Sequence, residues 1–372
     1  MPVGLRLALV LAVMPSVARG EGSTSLDLTV FSQGDDGGDP HKAEGLDYYG
    51  LRVASRVRVS DEVELRASVA AAVLANEDAA PAPRTVTGVT ITSASSTTVT
   101  LDATAAVDVR PAGSGTTLSA GAFYHHQFGF IGGGLDLGVA QELAGGDTVL
   151  DASFSLRGAG LKLRMWDGQY LGWTYQSTYN LALSVTQTVS PSVVVAVGAQ
   201  YSRHWGTLAE TFNFVVLHDP TGTPRELVNE ALPDERHRGQ VNARVRFTPS
   251  VGTSIGLDAS FYGDDWGVLH GAAEPSVETT LPWDLRLRVW GRVSWQRASR
   301  YFDDGAQEPV RYATQDPDLG NFVMLSPGVL VIVPLGASSE ELSWETRVAV
   351  FGFYRTDQIY AVGSSAGVVA TW

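Results

Sequence analysis

From Ser23 to Trp372 the chain is written largely in a period of two, and that pattern decides what it can become. Val99, Leu101, Ala103, Ala105, Val107 and Val109 share one face of a segment whose other face carries Thr98, Thr100, Asp102, Thr104 and Asp108. Leu285, Leu287, Val289, Val293 and Trp295 alternate with Arg286, Arg288, Trp290, Arg292 and Gln296, and the runs around Val241 and Leu181 repeat the theme. Side chains of a strand point to opposite faces in turn, so each segment has one apolar and one polar face. The segments run about 10 to 13 residues. Strands of ordinary sheets are nearer about 5 or 6, whereas a tilted strand that crosses a bilayer needs roughly 9 to 11.

About sixteen such segments start near residues 23, 47, 63, 98, 116, 133, 148, 173, 193, 236, 253, 268, 285, 321, 342 and 360. Short turns, such as 60–62, 190–192 and 250–252, alternate with long connections at 34–46, 76–97, 158–172, 205–235 and 298–320. Aromatic residues gather where strands meet the long connections, among them Tyr48 and Tyr49, Phe123 and Tyr124, Trp173, Trp205, Tyr262, Trp266, Phe351 and Phe353. A smaller set, Phe247, Trp283, Trp344 and Trp372, lies at the opposite ends. Short turns at one rim, long loops at the other and two aromatic girdles describe an up-and-down outer-membrane barrel. The expected fold is all-β: an antiparallel transmembrane β-barrel of about 16 strands, between 14 and 18, over residues 21–372.

This fold also accounts for the composition. The chain is 44% hydrophobic, yet its mean hydropathy is only +0.02, as expected when apolar residues are laid on alternate positions. With no cysteine, disulfides, thiolate metal sites and a cysteine nucleophile are excluded. A net charge of −14 argues against nucleic acid as a partner. Residues 1–20 combine Arg6, a short apolar run and small residues at Ala18 and Gly20, which reads as a secretory signal cut before Glu21. Its removal takes away two arginines and no acid, and the charge becomes −16. The expected location is the outer membrane of a Gram-negative bacterium, with lipid and lipopolysaccharide as surroundings.

Leu232-Pro233-Asp234-Glu235-Arg236, Gly263-Asp264-Asp265-Trp266-Gly267 and the stretch Ser294 to Phe302 resemble a bacterial family of uncharacterised outer-membrane proteins, known mainly as barrels. The likeness covers about half of the chain and is strongest toward the C-terminus. It implies fold and location and supplies no catalytic residues. A final amphipathic strand closing on Trp372 resembles the signal read by the barrel-insertion machinery, the other expected partner.

Eight arginines, Arg56, Arg58, Arg66, Arg110, Arg244, Arg246, Arg286 and Arg288, fall on inward positions near the short turns. They form a lumen charge band with two readings. As a ring of free cations they would favour anions in a pore; paired with Glu64, Asp102, Asp108 or Asp258 they would fill the wall. The long connections are acidic instead, and solvated loop charge is a simpler reading of them than a divalent-cation site. The histidines lack the helical spacing of a zinc protease, and no metal or cofactor is expected. Asp264-Asp265 with His270 is similar to an aspartate-and-histidine pair of an outer-membrane protease, although a strand-top turn explains it as well.

Three functions follow, in order. The first is a porin-like passive channel for small solutes, since about 16 strands can enclose an aqueous lumen. The second is a barrel plugged by residues 205–235 and serving as a structural or surface scaffold. The third and weakest is a hydrolase; no enzyme activity is expected.

Overall fold

A computed structural model describes residues 21–35, 46–76, 84–86, 89–91, 97–164, 169–209, 214–339 and 342–372. The segment 1–20 therefore lies outside the described residues, as do the acidic positions Asp36, Asp39, Glu44 and Glu210 and the aromatic Trp166. The strands are β1 Gly22–Asp35, β2 Leu46–Ser60, β3 Val63–Asn76, β4 Arg84–Val86, β5 Val89–Ile91, β6 Thr97–Val109, β7 Thr116–Gln127, β8 Phe130–Leu143, β9 Thr148–Arg164 and β10 Tyr170–Ser190. They continue as β11 Val193–Gly206, β12 Phe214–His218, β13 Pro224–Asn229, β14 Glu235–Ser250, β15 Thr253–Asp264, β16 Leu269–Thr280, β17 Arg286–Arg297, β18 Phe322–Ser339, β19 Leu342–Arg355 and β20 Ile359–Thr371.

Sixteen of these strands form one closed antiparallel barrel in chain order, and the pairs β4–β5 and β12–β13 are separate two-stranded hairpins. Closure is made by β1 and β20, from Ser23↔Thr371 to Asp35↔Ile359. Every barrel strand thus has a neighbour on both sides, and no sheet edge is left to hydrocarbon, where each unpaired amide costs several kcal/mol. A strand of about 12 residues tilted by about 40° rises about 30 Å, enough for an apolar band of about 25 Å.

The band is present. Leu135 and Leu137 on β8, Leu181 and Leu183 on β10, Val241 and Phe247 on β14, and Val289, Val293 and Trp295 on β17 are all exposed on the outer wall. Soluble monomers rarely expose apolar patches beyond about 600 Å²; here the apolar side chains recur strand after strand. The surface is that of a transmembrane barrel, and the polar alternates face the lumen.

Loop length is less segregated than the sequence suggests. At one rim, the turn end, every described connection is short, as at 61–62, 191–192 and 251–252, where Gly252 takes a positive φ of 81°. At the other rim, the loop end, long connections are mixed with short ones, as at 128–129, 265–268 and 356–358. The expected long connection 158–172 is a correction: β9 and β10 extend through most of it and remain paired up to Tyr170↔Arg164. The small side chains of Gly158, Ala159 and Gly160 hid the alternation there.

Candidate functional site

The lumen is the candidate site. Cross-strand register sets which residues share its wall: Ser155, Asn180, Ser202 and Arg238 form one tier across β9, β10, β11 and β14. One tier nearer the loop end lie Arg157, Thr178, His204 and Arg236, and one tier nearer the turn end Ser153, Ala182, Gln200 and Gln240. Together with Tyr262 on β15, side chains of these tiers border a recess of about 560 Å³. It is within the volume range of small-molecule sites, about 300–1,000 Å³.

All eight arginines of the expected band lie near the turn end, and each meets a carboxylate. Arg56 reaches Glu64 at 2.8 Å, Arg58 reaches Glu21 at 2.7 Å, and Arg66 reaches Asp108 at 2.6 Å. Arg110 pairs with Glu142. Asp258 takes both Arg244 at 2.5 Å and Arg246 at 2.6 Å, while Arg286 meets Glu345 at 2.6 Å and Arg288 approaches Glu274 at 3.7 Å. Asp102 has a different partner, His125 at 2.7 Å. The arginines therefore carry little unbalanced charge.

Toward the loop end the pattern changes. Arg157 is 3.2 Å from Asp136 and sits 4.3 Å from the centroid of the Phe123 ring. Arg236 donates to Asp264 from Nε at 2.8 Å and Nη2 at 2.5 Å, with Trp266 stacked against its guanidinium at 4.4 Å. The Asp264 carboxylate also accepts from the Tyr262 hydroxyl at 2.7 Å and from the Val268 amide at 2.9 Å, which satisfies a fully buried acid. Arg238 has no such compensation: its Nε is buried without a hydrogen-bond partner, and no carboxylate forms a salt bridge with it among the described residues.

The loops of this rim are folded. β12 and β13 pair from Phe214↔Asn229 to His218↔Pro224, and Val215 and Leu217 are buried against Ala306 and Ala313 of the 298–321 connection. Gln315 locks the two together, accepting from the Val216 amide at 2.7 Å and donating to its carbonyl at 3.1 Å. Glu230 accepts from the Thr314 hydroxyl at 2.5 Å. The assembly is latched to the wall where Arg355 of β19 donates to Asp318 at 2.5 Å and to the Pro317 carbonyl at 2.9 Å, and where Gln296 of β17 reaches the Asp318 carbonyl at 2.7 Å. Within it, burial raises the Asp316 carboxyl above its ordinary range. The sequence marked 205–235 as a segment able to fold inward; its dependence on 298–321 has no local signal, since the Gln315 bonds span 99 residues.

The aromatics also divide. Tyr49, Tyr124, Trp173, Trp205 and Trp295 are exposed on the outer wall. Phe123, Phe351 and Trp290 turn inward and lie flat over glycines of the next strand. A Cβ on Gly328 would fall 2.1 Å from the Trp290 ring, one on Gly363 2.8 Å from Phe351, and one on Gly134 2.6 Å from Phe123. The expectation that the loop-end aromatics all belong to one outer girdle is corrected accordingly: Phe123 and Phe351 line the lumen, and Trp266 packs with Tyr301 and Phe302 in the loops.

His270 and the Asp264-Asp265 pair do not converge on a hydrolytic arrangement. Asp264 is held by Arg236, Tyr262 and Val268, and Asp265 accepts from the His237 amide at 3.0 Å. Trp372 closes the ring through backbone bonds with Gly22 in both directions, at 2.7 and 3.0 Å.

No curated protein matches the chain. Among solved structures, a bacterial polysaccharide outer-membrane secretin is similar at 10% identity and a TM-score of 0.49, over 93% of this chain and 97% of that one. The ferric enterobactin receptor PfeA of Pseudomonas aeruginosa gives 10% identity and a TM-score of 0.45 over 91% of this chain, which spans only 54% of the receptor's length. The CymD monoaromatic hydrocarbon channel gives 8% and 0.41, over 98% and 91% of the two chains. Likeness at that level carries no functional weight. The family model described as "Protein of unknown function (DUF3570)" matches residues 115–371, from the lead-in to β7 to the end of β20, and the chain belongs to that family.

Proposed function

We propose that residues 1–20 export the chain and that the barrel sits in a bacterial outer membrane as a passive channel for small polar solutes. The inner wall carries this reading. Trp290, Phe351 and Phe123 are seated against glycines of the next strand, so they cover the wall without projecting across it, and on β9, β10, β11 and β14 small and polar side chains leave the 560 Å³ recess. The balanced arginines at the turn end support weak selectivity there. Planar-bilayer conductance of the purified, folded protein tests the proposal: discrete channel events are expected, and their absence overturns it.

A second reading rests on the folded loops. If the β12–β13 hairpin and residues 298–321 seal the loop end, the barrel is a scaffold with a closed mouth. Replacing residues 209–230 by a short Gly-Ser linker separates the two, because a channel keeps or gains conductance whereas a sealed barrel conducts only after the replacement.

A further inference from the structure

The 560 Å³ recess combines a cavity with cationic and neutral polar side chains, and it adjoins one of two lumen arginines, Arg238 and Arg292, whose Nε is buried without a partner among the described residues. Cations flank it, Arg157 from β9 and Arg238 from β14, and between them lie the neutral groups of Ser155, Asn180 and Ser202. His204 lies one tier up. Among the described residues no carboxylate lines the recess. Its two arginines are held for different ends. Arg157 is fixed by the Phe123 face and by Asp136 on β8, which leaves its guanidinium over the recess. Arg238 has a buried Nε with no acceptor, although buried polar atoms are satisfied in the great majority of cases. The nearest candidate to satisfy it, Asp264, is already occupied by Arg236 and Tyr262.

We infer that this recess binds a small organic oxyanion on its way through the barrel, with Arg238 and Arg157 gripping the charged group and the hydroxyl and amide side chains holding its polar body. A guanidinium presents a planar fork of donors that suits carboxylate and phosphate alike. The inference rests on the channel reading, which supplies the route to the site; the binding itself does not require conduction.

The test is calorimetric titration of the folded barrel in detergent with glucose 6-phosphate, gluconate and neutral glucose. Both anions, or one of them, are expected to bind, and the tighter of the two identifies the preferred group; glucose is expected not to bind. Arg238→Gln is expected to weaken anion binding about tenfold or more, and Arg238→Lys, which restores the charge, to recover part of the loss. A gel mobility that shifts on heating as the wild type's does, with β-type circular dichroism, establishes that each variant is folded. Wild-type affinity in folded R238Q, glucose binding as tightly as gluconate, or no anion binding overturns the inference. Conductance measured in parallel keeps the two ideas apart. A barrel that binds anions through Arg238 without conducting retains the site and loses the channel, and one that conducts without such binding retains the channel and loses the site.

Discussion

At the turn end of the lumen seven carboxylates hold eight arginines, whereas toward the loop end Arg236 has a buried acid to itself and Arg238, two residues along the same strand, has none. The same side chain does opposite work in the two places. Near the turns it closes a ring of wall charges whose members remain solvated, with Arg244 62% exposed. At Arg236, 9% exposed, and at the buried Nε of Arg238 it is desolvated, so each partner gained or lost there has a large consequence. Burial, more than the number of arginines, sets what each one contributes.

The sharpest way to break this contrast is Asp264→Ala. It removes the acceptor of Arg236 in a site where both side chains are at most 9% exposed, and loss of one partner of a buried pair costs about 3–5 kcal/mol. The expected result is release of the loops next to Trp266, read as rapid proteolysis between residues 298 and 321 while the barrel stays protected. Leu217→Ala comes next. Leu217 is 1% exposed, and truncating a buried leucine costs about 2–5 kcal/mol. The hairpin should become protease-sensitive without loss of barrel β-structure.

A smaller effect tests the electrostatics of the latch. The Asp316 carboxyl is raised by burial, so its contribution to loop attachment is fully present below the ordinary aspartate range and is lost as pH rises through the raised value. At neutral pH the ionised group opposes attachment. Asp316→Asn, which still accepts from the Asp318 amide, should therefore tighten the loops at pH 7 by about 0.5–1 kcal/mol and flatten the acid side of their pH profile. Hydrogen exchange across residues 314–321 at pH 4 and pH 7 measures both. The least effect is expected for Arg244→Gln: Asp258 keeps Arg246, exposed pairs are worth about 0–1 kcal/mol, and the thermal midpoint should hardly move. A large drop would show that the turn-end ring is stressed as the loop end is.

The barrel was legible because alternation is a local property. The start of every barrel strand falls within a few residues of the position read from the pattern, from Gly22 to Ile359. Legibility fails where contacts are not periodic. Phe128-Gly129 turns the chain in two residues at the loop end, with Gly129 at φ 79°, and nothing in the pattern separates that turn from a longer connection. Alternation puts Trp290 on the inner face, but the room for its ring comes from Gly328, opposite it on β18, a match between strands that no single segment displays. Arg238 is unremarkable in the sequence, one of four alternate arginines or their neighbours on β14, because its isolation follows from Asp264 being taken by Arg236.

The seam between β1 and β20 bears on timing. Its ladder joins Ser23 to Thr371, so the ring cannot shut until nearly the whole chain has been made and brought to one place. Until then the growing sheet has two raw borders, each able to recruit a strand from any neighbour. Contacts so remote in sequence also form slowly. The period before closure is therefore when this protein is most exposed to mispairing, and a helper that covers both borders would act then, before the completed ring leaves it nothing to hold.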